Sequence, residues 1–257
     1  MIRRWAALCC AAAVLTALIP YRAEAVTLSA TAAILLDAGT GEVLYEKNAD
    51  RQMLIASTTK IMTALVVLES ACLCDTVEIT SAHMTEGSSM YLRLGETVCV
   101  EELLYGLLLC SGNDAAQALA DHCGGTERFV ERMNAKAASL GMADTSFENP
   151  SGLDGERHYS TARDMARLAT AAVKNPTFVR ICSTVSVQIG ERTMRNHNRL
   201  LNDIDGCIGL KTGYTRAAGR TLVSCVHRGG RCLVAVTLQD GNDWLDHAAL
   251  YEYGFGG

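Results

Sequence analysis

The chain has 257 residues, 49% of them hydrophobic and 20% charged, which suits one or two domains with a sizeable core. Its formal net charge is -5, and no basic run or patch argues for a nucleic-acid partner.

Residues 1–25 read as a secretory signal peptide. Arg3 and Arg4 precede an apolar run from Trp5 to Ile19, and Ala23-Glu24-Ala25 offers small residues for cleavage after Ala25. The run is shorter than the roughly 20 residues that span a bilayer, which argues against an uncleaved anchor. Cys9 and Cys10 lack the small preceding residue of a lipoprotein site. Cleavage leaves residues 26–257 as the folded, exported protein. It removes two of the 11 cysteines and leaves Cys72, Cys74, Cys99, Cys110, Cys123, Cys182, Cys207, Cys225 and Cys232, an odd set in which at least one has no partner within the chain.

Thr31–Asp37 is mostly apolar and meets Gly39-Thr40-Gly41 and then Glu42–Tyr45, which predicts a β-hairpin with one strand buried on both faces. The next stretch, Ile55-Ala56-Ser57-Thr58-Thr59-Lys60-Ile61-Met62, sets a hydroxyl and an amine three residues apart. From Ile61 to Leu68 only Thr63 is polar, so a buried helix is expected, with Ser57 and Lys60 on one face at its start. That arrangement is a nucleophile beside its base. An ammonium in a desolvated site loses proton affinity from its ordinary pKa of about 10.4, and the neutral amine can then take a serine proton. Unpaired backbone N–H groups of the first turn could also help hold an oxyanion.

A short strand is expected at Thr76–Thr80 and a loop at Gly87–Gly95. Leu103, Leu104, Leu107 and Leu108 give Val100–Leu109 a helical period that stops at Cys110-Ser111-Gly112-Asn113-Asp114. A second helix follows to about His122, and a third over Thr126–Leu140 with Thr126 as N-cap. After Asn149-Pro150-Ser151-Gly152-Leu153, Ser160 is expected to cap a helix whose apolar face carries Met165, Leu168, Ala169 and Ala172 and which ends near Asn175-Pro176. Strand alternation returns in Val185–Ile189 and Thr193–His197.

The last third holds a strand at Ile208–Thr212, a hairpin of Thr221–His227 and Arg231–Gln239, and a helix at Asn242–Tyr253. A two-residue turn at Arg228-Gly229 would set Cys225 directly opposite Cys232. The fold expected is α+β: an antiparallel sheet built from both chain ends and flanked by helices, with a helical region over residues 81–140 inserted beside it.

Three short motifs stand in order, Ser57-Thr58-Thr59-Lys60, Ser111-Gly112-Asn113 and Lys211-Thr212-Gly213. The trio type is shared by β-lactamases and penicillin-binding proteins. With Asp37-Ala38-Gly39-Thr40-Gly41-Glu42-Val43-Leu44-Tyr45, Asn149-Pro150-Ser151-Gly152-Leu153 and His158-Tyr159-Ser160-Thr161-Ala162, the chain resembles the low-molecular-mass penicillin-binding proteins of the serine D-alanyl-D-alanine carboxypeptidase family from Ala30 to Phe255.

The resemblance implies a β-lactamase/DD-peptidase-like fold in a bacterial cell envelope or extracellular enzyme that removes the terminal D-alanine from peptidoglycan stem peptides and is acylated by β-lactams. In that scheme Ser57 is the nucleophile, Lys60 its base and Ser111 a proton relay. Asn113 holds the substrate amide, Lys211 faces the terminal carboxylate, and Thr212 and Gly213 lie on an edge strand beside the substrate. The backbone N–H groups of Ser57 and Tyr214 form the oxyanion hole. Relatives commonly add a β-rich domain and a membrane-binding amphipathic helix; the sequence stops at Gly257 without either, so no anchor is expected.

Two other functions compete. A β-lactamase wants a carboxylate to activate the deacylating water, and Glu148 is the nearest candidate, though it lies within the carboxypeptidase-like segment. A catalytically silent wall-peptide binder would lack a motif residue, and none is missing. No metal or cofactor is expected: Cys72 and Cys74 are one residue apart with no second close pair, and the six histidines make no ligand-spaced pair.

Overall fold

The computed structural model describes residues 26–256, and the expected leader over residues 1–25 lies outside the described residues. Strand β1 (Ala32–Asp37) has every residue buried. Ala32, Ile34 and Leu36 join the main core while Ala33 and Leu35 join a smaller one on the other face. A strand buried on both sides has no need of polar alternation. Its hairpin partner is β2 (Val43–Lys47), with Ile34 opposite Glu46.

A 3-10 turn over Ala56–Thr59 leads into α1 (Lys60–Leu68). The short strands β3 (Thr76–Glu78) and β4 (Thr97–Cys99) pair with each other. The helices α2 (Val100–Leu109), α3 (Asn113–His122) and α4 (Thr126–Ser139) form the expected inserted region. Then come α5 (Ala162–Ala172), α6 (Pro176–Cys182), the hairpin β5 (Ser186–Ile189) and β6 (Arg192–Arg195), and the single turn α7 (Leu200–Asp203). Strands β7 (Cys207–Thr215), β8 (Gly219–Arg228) and β9 (Arg231–Asp240) and helix α8 (Asp243–Gly256) close the chain.

The main sheet is antiparallel in the order β2-β1-β9-β8-β7, so both chain ends build it, as the sequence implies. Helices α1 to α6 bury one face with Ile34, Val223, Val234 and Val236. Helix α8 buries the other through Leu250 and Tyr251 against Leu35, Leu233 and Ala235. Gly254 allows that approach, since a Cβ there would lie 2.7 Å from Leu35 and Leu233 side chains. Among the described residues no helix is long and apolar enough to cross a membrane.

Four points of local detail differ from the expectations or add to them. The N-cap of α5 is Thr161, whose hydroxyl accepts the Asp164 N–H at 3.0 Å, while the Ser160 hydroxyl bonds Thr145 Oγ1 at 2.7 Å. Gly125, not Thr126, precedes α4, and Thr126 Oγ1 instead accepts from Gln117 Nε2. Asn175-Pro176 starts α6 as well as following α5: the Asn175 carbonyl oxygen of the side chain accepts from Thr177 and Phe178 N–H, and proline suits the first helical position.

The fourth is the hairpin register. Gly229 and Gly230, with φ of 58° and 77°, form the two-residue turn, so His227 faces Cys232 and Cys225 faces Val234. Moving the turn by one residue shifts the pairing by two, which preserves the face. Cys225 and Cys232 are therefore diagonal neighbours on one face, not directly opposed, with free sulfurs 3.1 Å apart.

Candidate active site

Ser57 lies in the 3-10 turn and Lys60 is the first residue of α1, so the helix starts one residue earlier than its apolar run. In a 3-10 turn residues three apart eclipse each other, which aims both side chains to one point. Lys60 Nζ is 3.0 Å from Ser57 Oγ. The turn is fastened at Ile55, whose carbonyl accepts from Thr58 Oγ1 (2.6 Å) and from Thr221 Oγ1 on β8 (3.1 Å). Ala56, just before the nucleophile, has a φ of 47°, a left-handed conformation that a non-glycine residue adopts only where its surroundings impose it.

The lysine is wholly buried, at 0% exposure. Besides Ser57 it donates to Asn113 Oδ1 at 2.8 Å and to the Ser151 carbonyl at 2.5 Å. Both partners can only accept, so they claim two of its N–H groups in any charge state. The position left over points at Ser57: a proton when the lysine is charged, a lone pair when it is neutral. Burial drives the Lys60 pKa well below its ordinary value, the Lys211 charge lowers it further, and Asp114 opposes both. A neutral amine facing a serine hydroxyl is a general base in place.

Asn113 opens α3, where its side-chain Nδ2 donates to the Glu86 carbonyl at 2.8 Å. Its amide thus already bridges Lys60 and the loop 86–92, and the second Nδ2 hydrogen is what it has left for another acceptor. Asp114 ties the same loop down by accepting from Ser89 Oγ (2.5 Å) and from the Met90 and Leu92 N–H groups. Ser111 sits at the turn between α2 and α3, 5% exposed and with a φ of 59°. Among the described residues its hydroxyl makes no hydrogen bond with Ser57, Lys60 or Asn113.

Lys211 lies on β7, the edge strand of the main sheet, with its Nζ on the Thr212 carbonyl at 2.7 Å. Burial lowers its pKa to about 7, with Cys110 opposing. Gly213 abuts the nucleophile turn: a Cβ there would lie 2.9 Å from Ser57 N and 3.1 Å from Thr58 N. That contact brings β7 and the next residue, the exposed Tyr214, alongside the Ser57 backbone. Part of the space expected for substrate at Gly213 is filled by the protein's own backbone.

Two supports of the site carry no local sequence signal. His158 accepts the Glu148 N–H on Nδ1 (3.1 Å), which leaves its proton on Nε2 for Thr59 Oγ1 at 2.8 Å. Its pKa falls to about 4, chiefly through burial, with Glu148 and Asp154 opposing. Ser151 contributes its carbonyl, a group that no residue type announces. Glu148 is held by the Arg157 N–H (3.0 Å) and Nε (3.1 Å), and among the described residues its carboxylate makes no hydrogen bond to Ser57 or Lys60.

A sequence profile of the D-alanyl-D-alanine carboxypeptidase family matches residues 20–242. The chain is 39% identical over 220 residues to the Bacillus subtilis D-alanyl-D-alanine carboxypeptidase DacF, covering 80% of this chain and 56% of that protein. It is 39% identical over 235 residues to DacB2 of Mycobacterium tuberculosis, also a D-alanyl-D-alanine carboxypeptidase, covering 86% and 81%. Among solved structures, a Streptomyces DD-transpeptidase superposes with a TM-score of 0.86 at 35% identity, over 90% of this chain and 98% of that one.

Proposed function

The chain belongs to the D-alanyl-D-alanine carboxypeptidase family, and we propose that it releases the terminal D-alanine from peptidoglycan stem peptides through an acyl-enzyme on Ser57. The observation that carries this reading is the neutral-prone, fully buried Lys60 at 3.0 Å from Ser57 Oγ.

The substrate lies along the edge strand β7 at Thr212 and Gly213, with its C-terminal carboxylate drawn to Lys211. Lys60 takes the Ser57 proton as Oγ bonds the carbonyl carbon between the two D-alanines. The developing oxyanion is held by the backbone N–H groups of Ser57 and Tyr214. Collapse breaks the C–N bond, and the proton passes from Lys60, relayed by Ser111, to the leaving amine. Water, deprotonated by Lys60, then attacks the ester carbonyl, and Lys60 returns that proton to Ser57 Oγ as the acyl C–O bond breaks. Asn113 serves twice, orienting Lys60 through Oδ1 and meeting the substrate amide through Nδ2. The lysines divide the charge states between them: Lys60 works neutral as the base, and Lys211 works charged as the anchor. A β-lactam offers the same carbonyl and carboxylate and leaves Ser57 acylated.

Residues 26–257 act as one catalytic domain, and the leader over residues 1–25 delivers it to the cell envelope or the exterior. The β-lactamase alternative finds no support in Glu148, which Arg157 occupies. Incubation with a fluorescent penicillin followed by digestion tests the reading. The label is expected on the peptide carrying Ser57 and absent from Ser57→Ala; label elsewhere, or in that variant, refutes it.

A further inference from the structure

The chain leaving α1 turns tightly through Cys72-Leu73-Cys74-Asp75, closed by the Asp75 N–H on the Cys72 carbonyl at 3.0 Å. The turn is pinned to the start of α2 by the Val100 N–H on the Asp75 carbonyl (2.9 Å) and the Glu101 N–H on the Leu73 carbonyl (3.1 Å). So held, it presents Cys72 Sγ, Cys74 Sγ and an Asp75 carboxylate oxygen within 4.8 Å of one another. Both thiols are exposed and free. The last residue of α3 stands beside this trio, outside it: His122 Nε2 is 3.4 Å from Asp75 Oδ2.

We propose that Cys72, Cys74 and Asp75, joined by His122 turning in from beside Asp75, form a binding site for a divalent cation of the zinc type. Two sulfurs, an imidazole nitrogen and a carboxylate oxygen are a donor set that a borderline-soft ion with tetrahedral preference takes, and one that magnesium or calcium does not. The sulfurs stand 2.7 Å apart. A zinc ion with Zn–S bonds of about 2.3 Å needs them at roughly 3.8 Å, a small rotation for exposed side chains. Asp75 is already oriented, because its Oδ2 accepts the Cys72 N–H at 2.9 Å, the kind of outer hydrogen bond that aims a ligating carboxylate.

The ion would join the far end of α1 to the start of α2 and the end of α3. Lys60 and Asn113 sit at the opposite ends of α1 and α3, so the same two helices carry the base and its acceptor. The sequence hides the site because His122 lies 47 residues from Asp75 and pairs with no other histidine.

Cobalt titration of the full chain, reduced and kept free of oxygen, tests the proposal with no reference to catalysis. One equivalent is expected to give thiolate-to-cobalt charge-transfer and tetrahedral ligand-field bands that zinc displaces. Zinc at about 100-fold its dissociation constant should raise the melting temperature by roughly 5–10 °C. The double variant Cys72→Ser/Cys74→Ser should lose both signals, and His122→Ala should weaken cobalt binding by about tenfold or more. Bands that survive in the double variant would overturn the site. So would protein exported without reductant in which Cys72 and Cys74 are joined to each other and zinc supplied during growth does not prevent it.

Discussion

Lys60 Nζ and Asn113 Oδ1 are 2.8 Å apart, a direct bond between the base and the residue whose expected partner is the substrate. Because the amide oxygen can only accept, it fixes one lysine N–H and helps turn the remaining position toward Ser57. Asn113→Asp keeps the shape and replaces that oxygen with a charge. An opposite charge at this range raises a lysine pKa by roughly 1–3 units. The acid limb of the penicillin acylation rate should move to higher pH by about that much, with wild-type rate approached only in alkali. An unmoved limb would remove Asn113 from the control of Lys60.

Lys211, with a pKa of about 7 in the free protein, should set the alkaline limb of kcat/KM for D-alanine release. It anchors a carboxylate only when charged, so the rate falls as pH rises through about 7 while the acid limb reports Lys60. Lys211→Met removes the cation and keeps most of the volume. Losing one partner of a desolvated charge pair costs about 2–5 kcal/mol, which should appear in kcat/KM. The free protein should hold or gain thermal stability, since a buried cation with no carboxylate partner and a second lysine nearby is removed. Equal losses of rate and stability would make Lys211 a structural residue.

Much of this site was legible because its parts stand at element boundaries. Ser57 and Lys60 announce themselves by spacing at the head of an apolar run, and Ser111 and Asn113 by the break between α2 and α3. The Ser151 carbonyl and the Thr59–His158 bond could not be read, because they join segments 91 and 99 residues apart and one uses backbone alone. The hairpin register departs from expectation for a nearer reason: Arg228-Gly229 and Gly229-Gly230 are both competent turns, and only the second gives two positive φ angles without a side-chain penalty.

The helix cap gives a clean contrast between neighbours. Thr161 Oγ1 accepts the Asp164 N–H at the head of α5, whereas Ser160 Oγ bonds a side chain outside the helix. Thr161→Ala should cost about 1 kcal/mol in denaturant unfolding through the lost cap. Thr161→Ser should recover most of that loss; if it does not, the threonine matters for packing and not for its hydroxyl.

Two buried histidines predict the response to acid. His158 is lowered to about 4 and His247 to about 3, both mainly by burial. His247 is enclosed by Ser224 Oγ at 2.7 Å and Thr237 Oγ1 at 3.0 Å. Unfolded, each would bind a proton below about 6.5; folded, each resists until its lowered pKa. Their stabilisation is therefore complete above about pH 6.5 and is lost as pH falls toward 4 and then 3, several kcal/mol in all. Melting temperature measured from pH 7 to pH 3.5 should decline on that course, and more shallowly in His247→Gln. An identical slope in the variant would assign the acid sensitivity to other groups.

Gly213→Ala tests whether the nucleophile is positioned by the strand beside it. The new Cβ would lie 2.4 Å from Thr221 Oγ1 and 2.9 Å from Ser57 N, so either β8 loses its hold on Ile55 or the Ser57 turn moves. Overpacking of this kind costs about 1–3 kcal/mol, which a domain of this size can absorb while staying folded. The rate is less forgiving, because a displacement near 1 Å at a reacting centre costs on the order of 10²-fold. Penicillin acylation should fall by about that factor. Adding Thr221→Ala relieves the side-chain contact and leaves the backbone contact in place. Because it also deletes the Thr221 bond to Ile55 that fastens the turn, the double variant should not regain rate, and full recovery of rate would show that Thr221, not the Ser57 backbone, is what the glycine accommodates.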